Sequence, residues 1–364
     1  MPAAPPKRAT ALGAHAKSCT GTRQQRVELE RLWRTRHLAL QIPAAATMIS
    51  LEPISIVLPV YGRPELLPEA LNSVLQQESS QWQLLIADDG SDQQTQALLQ
   101  QWINSHDNGR IDWVRRPRNL GLFANLNRAL QDIDNKWALL LCSDDYLYPT
   151  AITTVQECRR RWPEAGLILS TFDSINSDGS SRPPDSALHH DQVSRSTALI
   201  SPQQLVPKLL ELGSLNGNLT GMAFSRSLWQ ASGAFREDWR HAADWEWLLR
   251  AAEQGPVVLN RIPMASVRTH EAQLSNSNRR SGHELVEVAE VVRRLRSHPL
   301  LAEEPRRHQW AAHVMQHQLW NLIKQIPRHG TGPLIEGLRS IRTSSGLRRT
   351  TMSLLKSAPT RLRK

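Results

Sequence analysis

An α/β fold with a mostly parallel sheet flanked by helices is predicted by three observations. From Ile54 to Thr171, short apolar runs alternate with longer amphipathic stretches, at about 25–30 residues per unit. Such alternation implies right-handed strand–helix–strand crossovers, and therefore parallel strands. Four successive apolar runs end in polar clusters, which a parallel sheet would gather along the edge where such sheets bind ligands. Helical spacing then dominates residues 282–325, predicting a C-terminal helical extension.

Ile54-Ser55-Ile56-Val57-Leu58-Pro59 reads as the first strand, stopped by its proline. Glu65 to Gln77 places Leu66, Leu67, Ala70, Leu71, Val74 and Leu75 on one helical face. Leu84–Ala87 is the second strand and Thr95–Ile103 the second helix. Ile111–Val114, Phe123–Leu130 and Trp137–Cys142 continue as strand, helix and strand. Ala151–Trp162 and Gly166–Thr171 repeat the pattern. Between Asn176 and Gln203 the pattern dissolves into Ser, Asp, Pro and His, which reads as an insertion or mobile loop. Regular signals return at Leu219–Ser225 and Trp245–Glu253.

The net charge of +10 resides at the two ends of the chain. Residues 1–47 carry +6 and residues 331–364 carry +7, leaving 48–330 at −3. A phosphate-tracking surface needs its charge on the folded body, so nucleic acid is not an expected partner. Residues 1–47 read as a poorly ordered basic segment, and Met48, just ahead of the first strand, reads as the true start. Gly330 onward places Leu334, Leu338 and Ile341 among arginines; this suits either a peripheral membrane-surface helix or a solvated tail. No apolar run approaches the roughly 18–20 residues that span a bilayer. Three cysteines without metal-binding spacing suit a reducing cytoplasm.

The most informative pair is Asp144-Asp145, at the C-terminal mouth of the fourth strand. Oxygen ligands there suit Mg²⁺ or Mn²⁺ bridging phosphates. The other clusters are Val60-Tyr61-Gly62-Arg63-Pro64, Asp88-Asp89-Gly90-Ser91-Asp92 and Arg116-Pro117-Arg118-Asn119-Leu120-Gly121. No strand is followed by GxGxxG or by a P-loop, so a bound nucleotide would need a cation to carry its phosphates.

These loops resemble the family-2 glycosyltransferases. The matching residues are Ile56-Val57-Leu58-Pro59-Val60-Tyr61, Ala87-Asp88-Asp89-Gly90-Ser91, Arg118-Asn119-Leu120-Gly121 with Asn125, and Ser143-Asp144-Asp145 with Pro149. Ala243-Asp244-Trp245-Glu246-Trp247-Leu248-Leu249-Arg250 resembles the acidic catalytic motif, and Arg268-Thr269-His270 the closing Arg-x-His element. The resemblance covers about residues 52–278 and implies a GT-A, Rossmann-like domain over 48–280. A helical extension (281–330) and a basic amphipathic tail (331–364) would follow it.

It further implies an inverting enzyme using a nucleotide-diphosphate sugar donor, Mn²⁺ or Mg²⁺, and a saccharide or lipid-linked acceptor in surface polysaccharide or lipopolysaccharide synthesis. Such an enzyme would be cytoplasmic, or peripheral at the inner face of the plasma membrane. By the resemblance Pro59, Tyr61, Arg63, Asp88, Asp89, Arg118, Asn119, Gly121, Asn125 and Asp144 bind donor. Asp145, Asp144 and His270 hold the metal, Asp244 is the base, and Trp245, Trp247 and Glu246 face the acceptor. Gly62 and Cys142 stand where the family often has Asn and Asp. The alternatives are a nucleotidyltransferase of similar fold, for which the loop after strand one is short, and a non-catalytic sugar-binding scaffold.

Overall fold

The computed structural model describes residues 52–361 except 184, 216–217, 276–277, 279–282 and 330–331. The expectations for 1–47 and Met48 lie outside the described residues.

The central sheet begins with β1 (Ile54–Val60), all seven residues buried, as expected of a strand covered on both faces. It runs one residue past Pro59, which lies beyond the last β1–β4 register pair, Val57 with Leu140. β2 (Trp82–Asp88), β3 (Ile111–Arg115) and β4 (Trp137–Leu140) align parallel in the order β3-β2-β1-β4. The linking helices are α1 (Leu67–Leu75), α2 (Gln93–His106) and α3 (Leu122–Asp132). Asp92 caps α2 by accepting from the Thr95 N–H at 2.8 Å, so this helix starts earlier than its apolar face suggests.

Beyond β4 come β5 (Tyr146–Leu147), α4 (Ala151–Arg161), β6 (Leu167–Ser170) and β7 (Asp173–Asn176). The stretch expected as a loop is ordered into β8 (Ser181–Arg182), α5 (Asp185–Asp191), β9 (Ala198–Ile200) and α6 (Pro202–Glu211). Its polar composition hid two tertiary anchors. β9 closes the sheet edge against β11 (Val257–Asn260). His190 is fully buried, its ring joining the Thr171 hydroxyl (2.9 Å) and the Leu215 carbonyl (2.9 Å). Burial pushes that imidazole down to about 4, so it sits neutral between its partners.

β10 (Ala223–Ser225) is antiparallel, and the eight-stranded order is β3-β2-β1-β4-β10-β6-β11-β9. α7 (Arg226–Ser232) and α8 (Ala243–Gln254) precede β11. A second sheet, β5-β12-β7-β8, includes β12 (Ala265–Thr269) and brings Arg268 to the mouth of β4. The C-terminal helices α9 (His283–Arg296), α10 (Arg307–His329), α11 (Gly332–Ser344) and α12 (Leu347–Arg361) follow. Their Val292, Leu295, Met315 and Ile341 belong to the same apolar cluster as Val57, Leu140 and Phe224. One sheet face therefore shares its core with the helical extension. A separate cluster, with Ile56, Leu71 and Ile152, fills the opposite face.

Candidate active site

Parallel β1 to β4 place all four polar clusters at one sheet edge, on an open cleft of about 1350 Å³. Pro59, Tyr61, Arg63, Asp89, Asn119, Gly121, Asn125, Asp144 and Asp145 line it. Asp244 and Trp245, at the start of α8, line the same cleft. Its far end reaches Trp310, His313 and Val314 of α10 and Ser353 of α12.

The two carboxylates at the mouth of β4 differ in character. Asp145 is buried: Oδ1 accepts from the Arg268 N–H (2.8 Å), and Oδ2 from Asn218 (2.9 Å) and the Thr220 hydroxyl (2.6 Å). Burial, helped by neighbouring Asp144, raises its pKa against the pull of those donors. Asp144 is more open; its Oδ2 receives Arg63 (2.9 Å) and the His270 ring (3.0 Å). Arg63 occupies the left-handed region, φ +59°, which a non-glycine residue rarely adopts, and also donates to the Ala272 carbonyl at 2.5 Å.

Cys142, Asp144 and Asp145 each offer a ligand atom, all within 4.8 Å of one another. The Cys142 thiol is pushed well up by burial and by both carboxylates, so it stays protonated and suits a hard cation poorly. Asp145 already accepts three hydrogen bonds. Asp144 is therefore the carboxylate that could hold a divalent cation such as Mg²⁺ or Mn²⁺. His270 spends Nε2 on Asp144 and does not line the cleft.

Asp89 ties two of the strand-end loops together, accepting from the Leu120 (2.8 Å) and Gly121 (2.9 Å) N–H groups. Burial raises its pKa and those bonds oppose the rise. Asp88 corrects the sequence expectation. It is fully buried off the cleft wall; Oδ1 accepts from the Ser91 N–H and shapes the turn, while Oδ2 has no hydrogen-bond partner among the described residues. Arg118 is exposed and also off the cleft wall, because its loop turns its backbone toward Gly90.

In the same cleft, Asp244 is partly buried in the first turn of α8. Desolvation raises its pKa, and the Trp245 N–H and His241 oppose this. Trp245 is buried, with Nε1 unpartnered among the described residues. Trp247 and Glu246 do not face an acceptor. Trp247 is fully buried between Phe224 and Phe235, centroids 4.9 Å from each, and donates to the Gly233 carbonyl. Glu246 is buried between Arg250 (2.9 Å) and Arg294 (2.7 Å). Helical periodicity explains both, since neighbours of a cleft-facing residue turn into the core.

Arg268 bridges Glu69 and the Asp144 carbonyl. Asn218 and Thr220, missed by sequence reading, belong to the polar segment Asn216-Gly217-Asn218-Leu219-Thr220 just before β10.

This sheet, cleft and carboxylate arrangement defines a GT-A type fold. Residues 55–227 match the family described as Glycosyl transferase family 2. WcaA of Escherichia coli K12, provisionally assigned to colanic acid biosynthesis as a glycosyl transferase, is 31% identical over 100 residues, 28% of this chain and 35% of WcaA. The Staphylococcus aureus TarS 1–349 structure with UDP-GlcNAc superposes with TM-score 0.61 at 15% identity, covering 84% of this chain and 85% of TarS 1–349. The mannosyltransferase PcManGT of Pyrobaculum calidifontis, in complex with GDP-Man and Mn²⁺, gives 0.51 at 16%, covering 92% and 94%. Five curated relatives, WcaA among them, are matched over only 20–46% of their length.

Proposed function

We propose that the chain is an inverting, divalent-metal-dependent glycosyltransferase of cell-surface polysaccharide assembly, using a nucleotide-diphosphate sugar. The observation that carries this is the shared cleft, lined by Asp144 and Asp145 at a strand mouth and by Asp244 in the first turn of α8. The UDP-GlcNAc and GDP-Man complexes of the two structural relatives support the donor class.

Donor binds along Pro59, Tyr61, Asp89 and Asn119, with its diphosphate at Asp144. A bound Mn²⁺ or Mg²⁺ supplies charge neutralisation for the leaving diphosphate. Arg63 and His270 fix the Asp144 carboxylate, and Asp145 anchors the turn that carries it. Asp244 takes the proton of the acceptor hydroxyl as that oxygen attacks the anomeric carbon. The carbon–oxygen bond to the diphosphate breaks, its electron pair leaves with the phosphate, and the configuration inverts. The cleft exceeds the roughly 300–1,000 Å³ of small-molecule sites, which leaves room for an acceptor toward α10.

The α11–α12 region supports peripheral contact with an anionic membrane. Ile335, Met352 and Leu355 are exposed among Arg339, Arg348, Arg349 and Lys356. Among the described residues no helix is long and apolar enough to cross a membrane.

The test is a panel of UDP-, GDP- and dTDP-sugars assayed for Mn²⁺-dependent hydrolysis. Asp244→Asn should lower turnover by about 10²–10⁴-fold while retaining donor affinity. The working base is the ionised carboxylate and burial raises its pKa, so parent turnover should rise with pH through a limb above the ordinary aspartate range. Full turnover by Asp244→Asn, or no donor binding with or without Mn²⁺, would overturn the reading.

A further inference from the structure

The helix that presents Asp244 begins without a side-chain cap of its own. Its N-cap is Ala242, which has no acceptor to offer. The three backbone N–H groups leading into the helix converge instead on one carboxylate of a later helix. Glu287 of α9 accepts from Arg240 (2.8 Å), His241 (2.7 Å) and Ala242 (2.8 Å). Glu287 is 6% exposed, so these charge-assisted bonds are shielded from water. Two turns further along α9, Arg294 grips Glu246 of α8 at 2.7 Å. One helix outside the family-matched segment thus holds α8 on both sides of Asp244.

We propose that Glu287 is the positioning residue for Asp244. It fixes the 240–242 entry so that the first turn of α8 aims its carboxylate into the cleft. Glu287 does not line that cleft, so it acts through Asp244 and not on substrate. This rests on the reading of Asp244 as the base. A displacement of about 1 Å at a reacting group can cost roughly 100-fold in rate, which sets the scale expected.

The charged groups acting on Asp244 are His241, which favours its ionised form, and Glu287, which disfavours it. Glu287→Gln removes the charge and sets an amide NH₂ against at least one backbone N–H. In the full chain, donor-sugar hydrolysis should show kcat reduced about 10–100-fold, with donor KM within about twofold. Carbon-detected NMR titration should show Asp244 ionising at lower pH than in the parent. Amide exchange at Arg240, His241 and Ala242 should accelerate, and Glu287→Ala should show the same changes, larger.

A folded Glu287→Gln protein with parental kcat, Asp244 titration and amide exchange would overturn the proposal. If Glu287→Ala does not fold, the Gln variant carries the decision. Should Asp244→Asn retain full turnover, the base reading falls separately. The exchange and titration would still report whether Glu287 holds this segment.

Discussion

On the wall proposed to bind donor, Asp89 bonds two N–H groups 31 and 32 residues away, in the loop of an adjacent strand. On the wall proposed to carry the base, Glu287 reaches back 45 to 47 residues, from a helix beyond the sheet, to the segment before Asp244. The first arrangement follows from strand register. Once β1, β2, β3 and β4 align in parallel, their polar ends must meet along one edge. The second has no such guarantee, because a helix start with alanine at its cap depends on whatever packs beside it. The donor wall is thus a property of the sheet, and the base wall a property of the C-terminal helices.

The largest expected effect lies in the core of the base wall. Trp247→Ala should destabilise the protein by about 3–5 kcal/mol, as removal of a fully buried tryptophan commonly does. It also orphans the Gly233 carbonyl. Denaturant unfolding measures the loss, while donor binding by the folded fraction should persist. A variant with parental stability and no transfer would instead return Trp247 to the acceptor role that the sequence suggested.

A smaller effect probes the donor wall through two glycines. Gly90 has φ +74°, and a Cβ there would lie 2.7 Å from the Arg118 carbonyl carbon. Gly90→Ala should cost about 1–3 kcal/mol and weaken donor affinity, because the 118–121 loop must move. Gly62 has φ +64° but open space around it. Gly62→Ala should therefore cost only about 1–2 kcal/mol, the left-handed penalty alone. Equal costs in thermal melts would show that the contact between the two loops does not hold the donor wall.

The same contrast governs what could be read from the sequence. The alternation of elements, the strand-end clusters and the Asp144–Asp145 pair follow local periodicity, and the structure places them along one edge. Asp88 and Asp89 could not be separated by pattern, since only the turn geometry decides which carboxylate faces the cleft. Glu246 and Trp247 flank Asp244 in sequence, but the 100° step of a helix sends them inward. Thr220, Asn218 and Glu287 act through contacts spanning 45 to 75 residues, which no local pattern records. The 176–203 segment was misread for a related reason: its anchors, His190 and the β9 edge, are tertiary.

The smallest expected effect concerns the outer face of the helices that support the base wall. On α12 Thr350 and Leu354 turn inward, while Leu347, Met352 and Leu355 stay exposed beside Arg348, Arg349 and Lys356. Apolar side chains interleaved with cations suit the headgroup region of an anionic bilayer, where each basic residue adds about 1 kcal/mol. The parent should co-sediment with vesicles containing phosphatidylserine and not with pure phosphatidylcholine, and added salt should release it. Met352→Glu and Leu355→Glu each remove an apolar anchor and add a repelled charge, so each should weaken binding about tenfold without changing donor hydrolysis. Neither side chain lines the cleft, so a loss of hydrolysis in either variant would mean that α12 transmits to the base wall. Parental vesicle binding in both variants would leave this face as a solvated surface whose role ends at packing α10.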